Sequence, residues 1–348
     1  DADEKMKAFM SKIRNKSVSA FGTLGAKSDS EHAKKCMTAV REFLESNGNK
    51  VEREFICQGA VSPQLIEKFR KMTKEGTITG HHAATPETEK RWAEAAKHPD
   101  ETDIENAKKI FLGFSDTTIN HFMLHKAGIK TFYGQAFLPD ICELADEMLP
   151  YTKKYFEELI TTGKIKEIRP SDVWYQERED FSENAIGTDM EKYANIGFEL
   201  LRGKPVFNGE ILGGCLESIY DMFDNSRYED TVYICNKYNL FPKPEDWQNK
   251  ILLLETSEEK PEPDLFRKMI RTIKEQGIFD VLSGVLVGKP QNETYYYDYR
   301  KILLEEISNE DLSIVYNLNV GHATPRCIIP FGVNAEVNVD KQVIIFNY

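Results

Sequence analysis

Three residues far apart in the sequence have the side chains that a hydrolase site requires: Ser115, Glu255 and His322. Ser115 follows the apolar run Ile-Phe-Leu-Gly-Phe, and a helical pattern starts directly behind it. A serine on such a tight strand-to-helix corner presents its hydroxyl where a base can reach it. Because a serine alone is a poor nucleophile, this interpretation requires a base and a group that orients the base.

Glu255 and His322 have the residue types for those two roles. Glu255 ends the apolar run Ile-Leu-Leu-Leu, where an unpaired buried charge would be costly, so we expect it to have a partner. His322 lies between Gly321 and Thr324-Pro325, which predicts a loop position. An imidazole held by a buried carboxylate keeps one tautomer and becomes a better base. A glutamate at a strand end and a histidine in a loop are each common in proteins where they have no catalytic role. The prediction therefore depends on the three residues occurring together.

The stabilisation of an oxyanion is the remaining requirement of such a site. The backbone N–H of Asp116, at the start of the helix behind Ser115, is placed to donate to an oxyanion. Serine is also a preferred helix N-cap, so Ser115 alone could simply cap that helix.

Composition excludes several classes of function. The 348 residues carry a formal net charge of -12, which argues against a nucleic-acid partner because phosphate binding needs a basic surface. No apolar stretch approaches the roughly 18 residues of a membrane span, and the first residues do not resemble a signal peptide. The six cysteines form no Cys-x-x-Cys pair, so we expect reduced thiols, no structural metal site and a cytoplasmic location.

Hydrophobic patterns predict an α/β protein with two domains. Residues 1–168 are expected to form an N-terminal domain with a Rossmann-like, mostly parallel sheet flanked by helices, and this domain would carry the nucleophile. The polar stretch 169–204 has no sustained period and is interpreted as a linker and binding loop. Residues 205–348 are expected to form a C-terminal α/β domain with a strand-rich tail, carrying the glutamate and the histidine.

Four ordered motifs resemble the serine LD-carboxypeptidase family, which includes murein tetrapeptide carboxypeptidases and MccF-type microcin C immunity hydrolases. The motifs are Phe-Leu-Gly-Phe-Ser-Asp-Thr-Thr, Glu-Ile-Leu-Gly-Gly-Cys-Leu-Glu-Ser, Ile-Leu-Leu-Leu-Glu, and Gly-His-Ala-Thr-Pro followed by Pro-Phe-Gly-Val-Asn-Ala. The resemblance extends from about Asp103 to the C-terminus. It implies a Ser115–Glu255–His322 triad, a two-domain fold, a homodimer, and a small peptide or aminoacyl-nucleotide substrate, with peptidoglycan recycling as one setting.

The same resemblance suggests residues that bind substrate and exposes one departure from the family. Trp174 and Tyr175 resemble the microcin branch and are candidates to stack on a nucleobase or to close a domain interface. Gly214 and Glu217 are further substrate-binding candidates, and the family's use of the glycine pair is to let a helix approach the cleft closely.

The departure concerns the second oxyanion donor. The family's Gly-Gly pair that helps form the oxyanion hole is missing from residues 77–84, where Gly80 and His81 are the nearest candidates. A catalytically impaired family member that acts as a ligand-binding protein is therefore the alternative.

Other motifs give weaker signals. His121 and His125 have the i, i+4 spacing of a metalloprotease pair, but Phe122 stands where such a motif has glutamate. A nucleotide-dependent oxidoreductase is disfavoured because no Gly-x-Gly-x-x-Gly turn follows an early strand. We therefore predict no metal and no cofactor.

Overall fold

The computed structural model describes residues 7, 10–24, 30–58, 61, 63–97 and 110–348. Contacts divide the chain into two compact units, Asp1–Lys109 and Ile110–Tyr348. The division falls upstream of the boundary expected after residue 168. The reason is that strands between residues 110 and 168 pair with strands from the C-terminal tail, as described below. Ser115 therefore lies in the same unit as Glu255 and His322.

The first unit contains a strand–helix–strand arrangement followed by two helices. Its elements are β1 (Ser17–Leu24), α1 (Glu31–Ser46), β2 (Lys50–Gln58), α2 (Pro63–Lys74) and α3 (Pro86–Ala95). β1 and β2 pair in parallel, as the strand–helix pattern predicted. Ser30 begins α1 as its N-cap, and the buried residues Ala33, Met37 and Leu44 recur at helical spacing.

The second unit is larger and contains all of the remaining described strands. Its elements are β3 (Leu112–Gly113), α4 (Thr118–Lys126), β4 (Thr131–Tyr133), α5 (Pro150–Thr162), β5 (Glu167–Ile168), β6 (Val173–Tyr175), β7 (Lys192–Ala194), β8 (Glu199–Arg202), β9 (Val206–Cys215), α6 (Leu216–Asp221), α7 (Thr231–Tyr238), β10 (Ile251–Glu255), α8 (Pro263–Glu275), β11 (Gly284–Gly288), α9 (Tyr296–Glu306), β12 (Ser313–Leu318), β13 (Ile329–Phe331), β14 (Asn334–Asn338) and β15 (Val343–Asn347).

An eight-stranded mixed sheet forms the centre of the second unit, in the order β5-β15-β14-β9-β10-β11-β12-β8. β9 to β12 are parallel neighbours, while β14, β15, β5 and β8 join antiparallel at the edges. Every residue of β10, β11 and β12 is buried, which explains the aliphatic runs Ile-Leu-Leu-Leu in β10 and Val-Leu-Val in β11. The predicted α/β class with a strand-rich C-terminal tail is confirmed.

A three-stranded sheet, β13-β4-β3, supports the corner that carries Ser115. β4 runs parallel to β3 and antiparallel to β13, so the nucleophile segment is fixed by a strand that follows His322. The stretch expected to be a linker, 169–204, instead contains the β6–β7 hairpin and β8, which is the edge strand beside β12.

Gly213 and Gly214 belong to the last residues of β9, which ends at Cys215, and α6 begins at Leu216. A 3₁₀ turn at Ile278–Asp280 precedes β11. Among the described residues, no helix has the length and apolar character needed to cross a membrane.

Candidate active site

Ser115 lies on a strained corner between β3 and α4. Its φ is 61°, a left-handed conformation that is uncommon for a residue with a Cβ and is characteristic of exposed nucleophiles. Two hydroxyls hold the corner: Thr117 Oγ1 donates to Phe114 O at 2.9 Å, and Ser218 Oγ donates to Ser115 O at 3.2 Å. These two hydrogen bonds hold the backbone on either side of the corner and so fix the direction of the Ser115 side chain.

The structure brings the three predicted triad side chains into contact. His322 Nε2 lies 3.0 Å from Ser115 Oγ, and His322 Nδ1 lies 2.8 Å from Glu255 Oε2. The backbone N–H of His322 also donates to Glu255 Oε2, at 3.2 Å. Glu255 is 1% exposed and His322 is 6% exposed, so the carboxylate can orient the imidazole away from competing water.

Tyr133 joins the two ends of this array. Its hydroxyl donates to Glu255 Oε1 at 2.5 Å and accepts from the backbone N–H of Ser115 at 3.2 Å. Burial and the charge of Glu255 raise the pKa of Tyr133 well above its usual value, so the hydroxyl stays protonated and can donate. Tyr133 was not among the predicted site residues, because nothing in the segment Thr-Phe-Tyr indicates a partner 122 residues away.

Arg326 supports the loop that carries His322. Its guanidinium donates to the carbonyl oxygens of Gly321 and His322, and Nη1 pairs with Asp140 Oδ1 at 2.9 Å. The guanidinium carbon also lies 5.1 Å from the centre of the Phe114 ring. Arg326 is 3% exposed, so this cation is a buried positioning group; sequence reasoning did not find it, although it lies four residues after His322.

Two glycines leave room for the side chains of Glu255 and Tyr133. A side chain at Gly321, whose φ is 82°, would overlap the carboxyl group of Glu255. A side chain at Gly214 would contact Thr118 at 2.6 Å and Tyr133 at 2.8 Å. Gly214 therefore allows close packing of α4 against the end of β9, as the family resemblance implied for the glycine pair; its role in binding substrate remains a prediction.

Glu217, another predicted binding residue, is 6% exposed and already has partners. Ser257 donates to Glu217 Oε1 through its backbone N–H at 2.9 Å and through its hydroxyl at 2.7 Å. Burial raises the pKa of Glu217 despite these bonds. In the structure it anchors the turn after β10, and direct contact with a substrate remains a prediction.

Trp174 and Tyr175 lie on β6, beside the His322 loop. The N–H of Tyr175 donates to Thr324 O at 2.8 Å. Trp174 is 9% exposed and stacks on Tyr193 with ring centres 4.7 Å apart, while Lys289 Nζ lies 5.2 Å from the Trp174 ring centre. The ring of Trp174 is thus largely covered, and Tyr193, 38% exposed, is the more open member of the pair.

The predicted oxyanion donors fall in different units. Asp116 follows Ser115 in the first turn of the segment Ser115–Thr117, where backbone N–H groups lack partners within a helix. Gly80 and His81 belong to the first unit, in the short 3₁₀ turn Gly80–His82. All three assignments remain predictions.

A second carboxylate, Glu258, approaches the imidazole from the turn after β10. Its Oε2 lies 3.0 Å from His322 Nε2. Burial alone would lower the pKa of His322, but the charge of Glu255 and the hydrogen bonds to Glu255 and Glu258 outweigh it and raise the pKa to about 10. The hydrogen bond to His322 lowers the pKa of Glu258 to about 2 despite partial burial. Glu258 was not among the predicted site residues, although it lies only three residues beyond Glu255.

We assign no metal site. Within the part of the chain that the structure describes, Cys215, Glu255 and His322 are the grouping whose ligand atoms lie close enough to share an ion. Glu255 and His322 are already bonded to each other, and His322 also contacts Ser115. The described cysteines are free thiols: Cys36, Cys142, Cys215, Cys235 and Cys327.

These features define an α/β unit in which a serine, a histidine and a glutamate are in contact. Sequence profiles of the LD-carboxypeptidase family match the same region: the C-terminal domain profile matches residues 208–337 and the N-terminal domain profile matches residues 91–134. The chain belongs to the LD-carboxypeptidase family.

Individual relatives agree with this assignment. The MccF-like protein of Streptococcus pneumoniae, solved in complex with AMP, is 47% identical, with a TM-score of 0.71, covering 95% of this chain and 99% of that one. A putative carboxypeptidase of Treponema pallidum is 25% identical over 71% of this chain and 67% of its own length. The microcin C7 self-immunity protein MccF of Escherichia coli is 23% identical over 68% of this chain and 64% of its own. The chain spans about two thirds of the length of these two relatives.

The beginning of the chain has a different relationship. Residues 1–112 match the profile of a flavodoxin domain, and the flavodoxin-like protein BilS of Clostridioides difficile is 27% identical over 105 residues, covering 30% of this chain and 57% of its own. This explains why the family resemblance in sequence starts near Asp103. Flavodoxins bind a flavin beyond the carboxyl ends of their strands. Residues 25–29 and 59–60, which follow β1 and β2, lie outside the described residues, so we assign no residue to a flavin.

Proposed function

We propose that this protein is a serine hydrolase that cleaves an amide bond with Ser115, His322 and Glu255 as its catalytic triad. The observation that carries the proposal is the continuous contact from Ser115 Oγ through the imidazole to a buried carboxylate, at 3.0 and 2.8 Å. Membership of a family whose relatives are called carboxypeptidases supports the same class of reaction.

In the proposed reaction, neutral His322 accepts the Ser115 proton as Oγ attacks the carbonyl carbon of the scissile amide. Glu255 stabilises the imidazolium that forms, and the N–H of Asp116 donates to the oxyanion. The imidazolium then donates its proton to the leaving nitrogen, which departs as an amine and leaves an acyl-enzyme. Water attacks the acyl-enzyme with His322 again as base, releasing the acid and restoring Ser115.

The proposed substrate is an aminoacyl-nucleotide, with a murein tetrapeptide as the competing candidate. Support for the nucleotide comes from the MccF-like protein of Streptococcus pneumoniae, 47% identical, which binds AMP in its solved structure. The stacked pair of Trp174 and Tyr193 is the aromatic surface that would receive a base, with Tyr193 as its more open ring.

A fluorophosphonate probe tests the triad directly. We expect it to label the wild-type protein at Ser115, and we expect Ser115→Ala to lose both labelling and turnover while keeping its fold. Ser283→Ala is the matched control, because the Ser283 hydroxyl donates to the carbonyl oxygens of Asn249 and Lys250, just before β10, and its loss should leave both signals unchanged. Absence of labelling in the wild-type protein at neutral and alkaline pH would favour the ligand-binding alternative.

The substrate is tested by comparing turnover of aspartyl sulfamoyl adenosine with release of D-alanine from a murein tetrapeptide. Trp174→Ala should raise KM for the nucleotide alone, and Trp174→Phe, which keeps a ring, should show a smaller effect. Faster turnover of the murein peptide, with Trp174→Ala inert on both, would assign the protein to the peptide branch.

A further inference from the structure

His322 Nε2 is contacted by two oxygens in this structure. Ser115 Oγ and Glu258 Oε2 each lie 3.0 Å from this nitrogen, while Glu255 Oε2 lies 2.8 Å from Nδ1. A carboxylate only accepts hydrogen bonds, so a carboxylate against each ring nitrogen requires a proton on both. The ring is then an imidazolium, which has no lone pair to accept the Ser115 proton.

The chain holds Glu258 in place by its backbone and leaves its side chain free to move. Ser257 is tied to buried Glu217, and the N–H of Glu259 donates to Ser257 Oγ at 3.1 Å. The N–H of Lys260 closes the turn on Ser257 O at 3.1 Å. The side chain of Glu258 is 65% exposed, whereas that of Glu255 is fully buried. Glu258 can therefore leave the imidazole, and Glu255 cannot.

The groups that face His322 account for its protonation. They come from several elements: Glu255 at the end of β10, Glu258 on the following turn, Cys215 at the end of β9, Ser115 beyond β3, and Arg326 on the histidine's own loop. Tyr133 reaches the imidazole only through Glu255. Arg326 opposes protonation, yet the two carboxylates prevail, and the pKa near 10 keeps the resting ring charged at neutral pH.

We propose that Glu258 is a specificity-determining residue that caps the resting base and is drawn away from it by an ammonium group on the substrate. This inference rests on the proposed function. An α-ammonium is one carbon from the scissile carbonyl, and that carbonyl must lie at Ser115 Oγ, so the cation arrives beside Glu258. Arg227, a nearby cation, already pairs with two other carboxylates, Asp116 at 3.7 Å and Asp221 at 4.0 Å.

The protons balance in two stages. When the substrate ammonium pairs with Glu258, the imidazolium loses the charge that stabilised its Nε2 proton, and this proton passes to water. The neutral Nε2 then accepts the Ser115 proton during attack and later delivers it to the leaving nitrogen. Substrates whose amino group is acylated would leave Glu258 in place and would be turned over slowly.

The test uses aspartyl sulfamoyl adenosine and its N-acetyl derivative with the full-length protein, at pH values from 6 to 10. In the wild type we expect the free amine to be preferred at pH 7 by about tenfold or more, the change in neutral imidazole for one pKa unit. Glu258→Gln should raise kcat/KM for the N-acetyl substrate at pH 7, erase most of the preference, and move the acidic limb of the profile to lower pH.

Glu259→Gln is the matched control, because it removes the same charge from the same turn one residue away. It should leave the preference and the acidic limb close to those of the wild type. A Glu258→Gln variant with a wild-type pH profile and unchanged preference would overturn the inference while leaving the proposed function intact.

An NMR titration separates the two proposals if no substrate is turned over. In Ser115→Ala protein, the His322 imidazole should titrate well above its ordinary pKa, and adding Glu258→Gln should lower that value by at least about one unit. Equal pKa values in the two proteins would refute the proposal that Glu258 caps the imidazole of His322. Absence of turnover with a large NMR shift would instead reject the proposed hydrolase and keep the ion pair.

Discussion

The hydroxyl of Tyr133 donates to Glu255 and at the same time accepts from the N–H of Ser115. One buried phenol thus connects the carboxylate that orients the base to the backbone of the nucleophile. β4, which carries Tyr133, pairs with β3 before Ser115 and with β13 beyond the His322 loop, whereas Glu255 ends β10 of the large sheet. Ser115, Glu255, His322 and Tyr133 all belong to the second unit.

Removing this hydroxyl should impair turnover more than binding. In Tyr133→Phe, the carboxylate of Glu255 loses a hydrogen bond worth about 1.5–3 kcal/mol, so we expect kcat to fall about 10- to 100-fold with little change in KM. Steady-state kinetics at 25 °C measures this. Tyr155→Phe is the matched control, because Tyr155 is equally buried and its hydroxyl bonds to the backbone of Arg169. Equal losses in both variants would show a general packing effect.

Much of the site could be predicted from the sequence because its residues stand at strand ends and turns. Ser115 and Glu255 each follow an apolar run, and His322 lies between turn-forming residues, so periodicity alone indicated their positions. The alternation of strand and helix likewise predicted the α/β class and the parallel pairing of β1 with β2.

Tyr133, Arg326 and Glu258 could not be predicted, because their importance comes from partners distant in sequence or from side-chain direction. Arg326 pairs with Asp140, 186 residues away, and no local pattern records such a pair. The unit boundary near Lys109 could not be predicted either, since β4 and β5 pair with the tail strands β13 and β15, which lie far beyond them in sequence. Strand order is a property of the folded chain and not of any window of sequence.

Loss of the buried cation beneath the histidine should destabilise the fold. In Arg326→Met, the carboxylate of Asp140 is left buried without its partner, so we expect the free energy of unfolding to fall by about 3–5 kcal/mol. Urea denaturation followed by tryptophan fluorescence measures this. Lys301→Met removes a cation from the exposed pair with Glu305 and should cost less than about 1 kcal/mol. A similar small cost for both variants would contradict the assigned role of Arg326.

Stability should also depend on the buried histidine His121. Its ring bonds to Thr131 Oγ1 at 2.7 Å and Gly113 O at 3.1 Å, and burial lowers its pKa to about 4. The unfolded chain takes up a proton near pH 6.5 and the folded chain only near pH 4. Stability from the neutral ring is therefore present above pH 6.5 and is lost as the pH falls to 4, by about 3 kcal/mol.

Urea denaturation at pH 7, 6 and 5 measures that slope. His121→Asn should have a lower stability throughout, but its free energy of unfolding should depend less on pH over this interval. The comparison uses the change in the free energy of unfolding with pH, so a constant loss of stability caused by the substitution itself does not affect it. A slope identical to that of the wild type would mean that other groups cause the acid sensitivity.

A substitution at Gly321 tests whether turnover requires the open space beside the carboxyl group of Glu255. In Gly321→Ala, the added methyl group would overlap the carboxyl group of Glu255, and either the acid or the His322 loop must move. We expect kcat to fall at least about 100-fold, because a misplaced triad loses far more than one hydrogen bond. The positive φ of 82° adds a backbone cost of about 1–2 kcal/mol.

Gly332→Ala separates that backbone cost from the crowding. Gly332 has a φ of 73°, so alanine there is strained to a similar degree, but the nearest atom to its added methyl is 3.6 Å away, on Lys130. We therefore expect Gly332→Ala to lose stability by a comparable amount and to retain nearly full kcat. If the two variants lose kcat equally, strain in the backbone explains the effect, and the space beside Glu255 has no special importance for turnover.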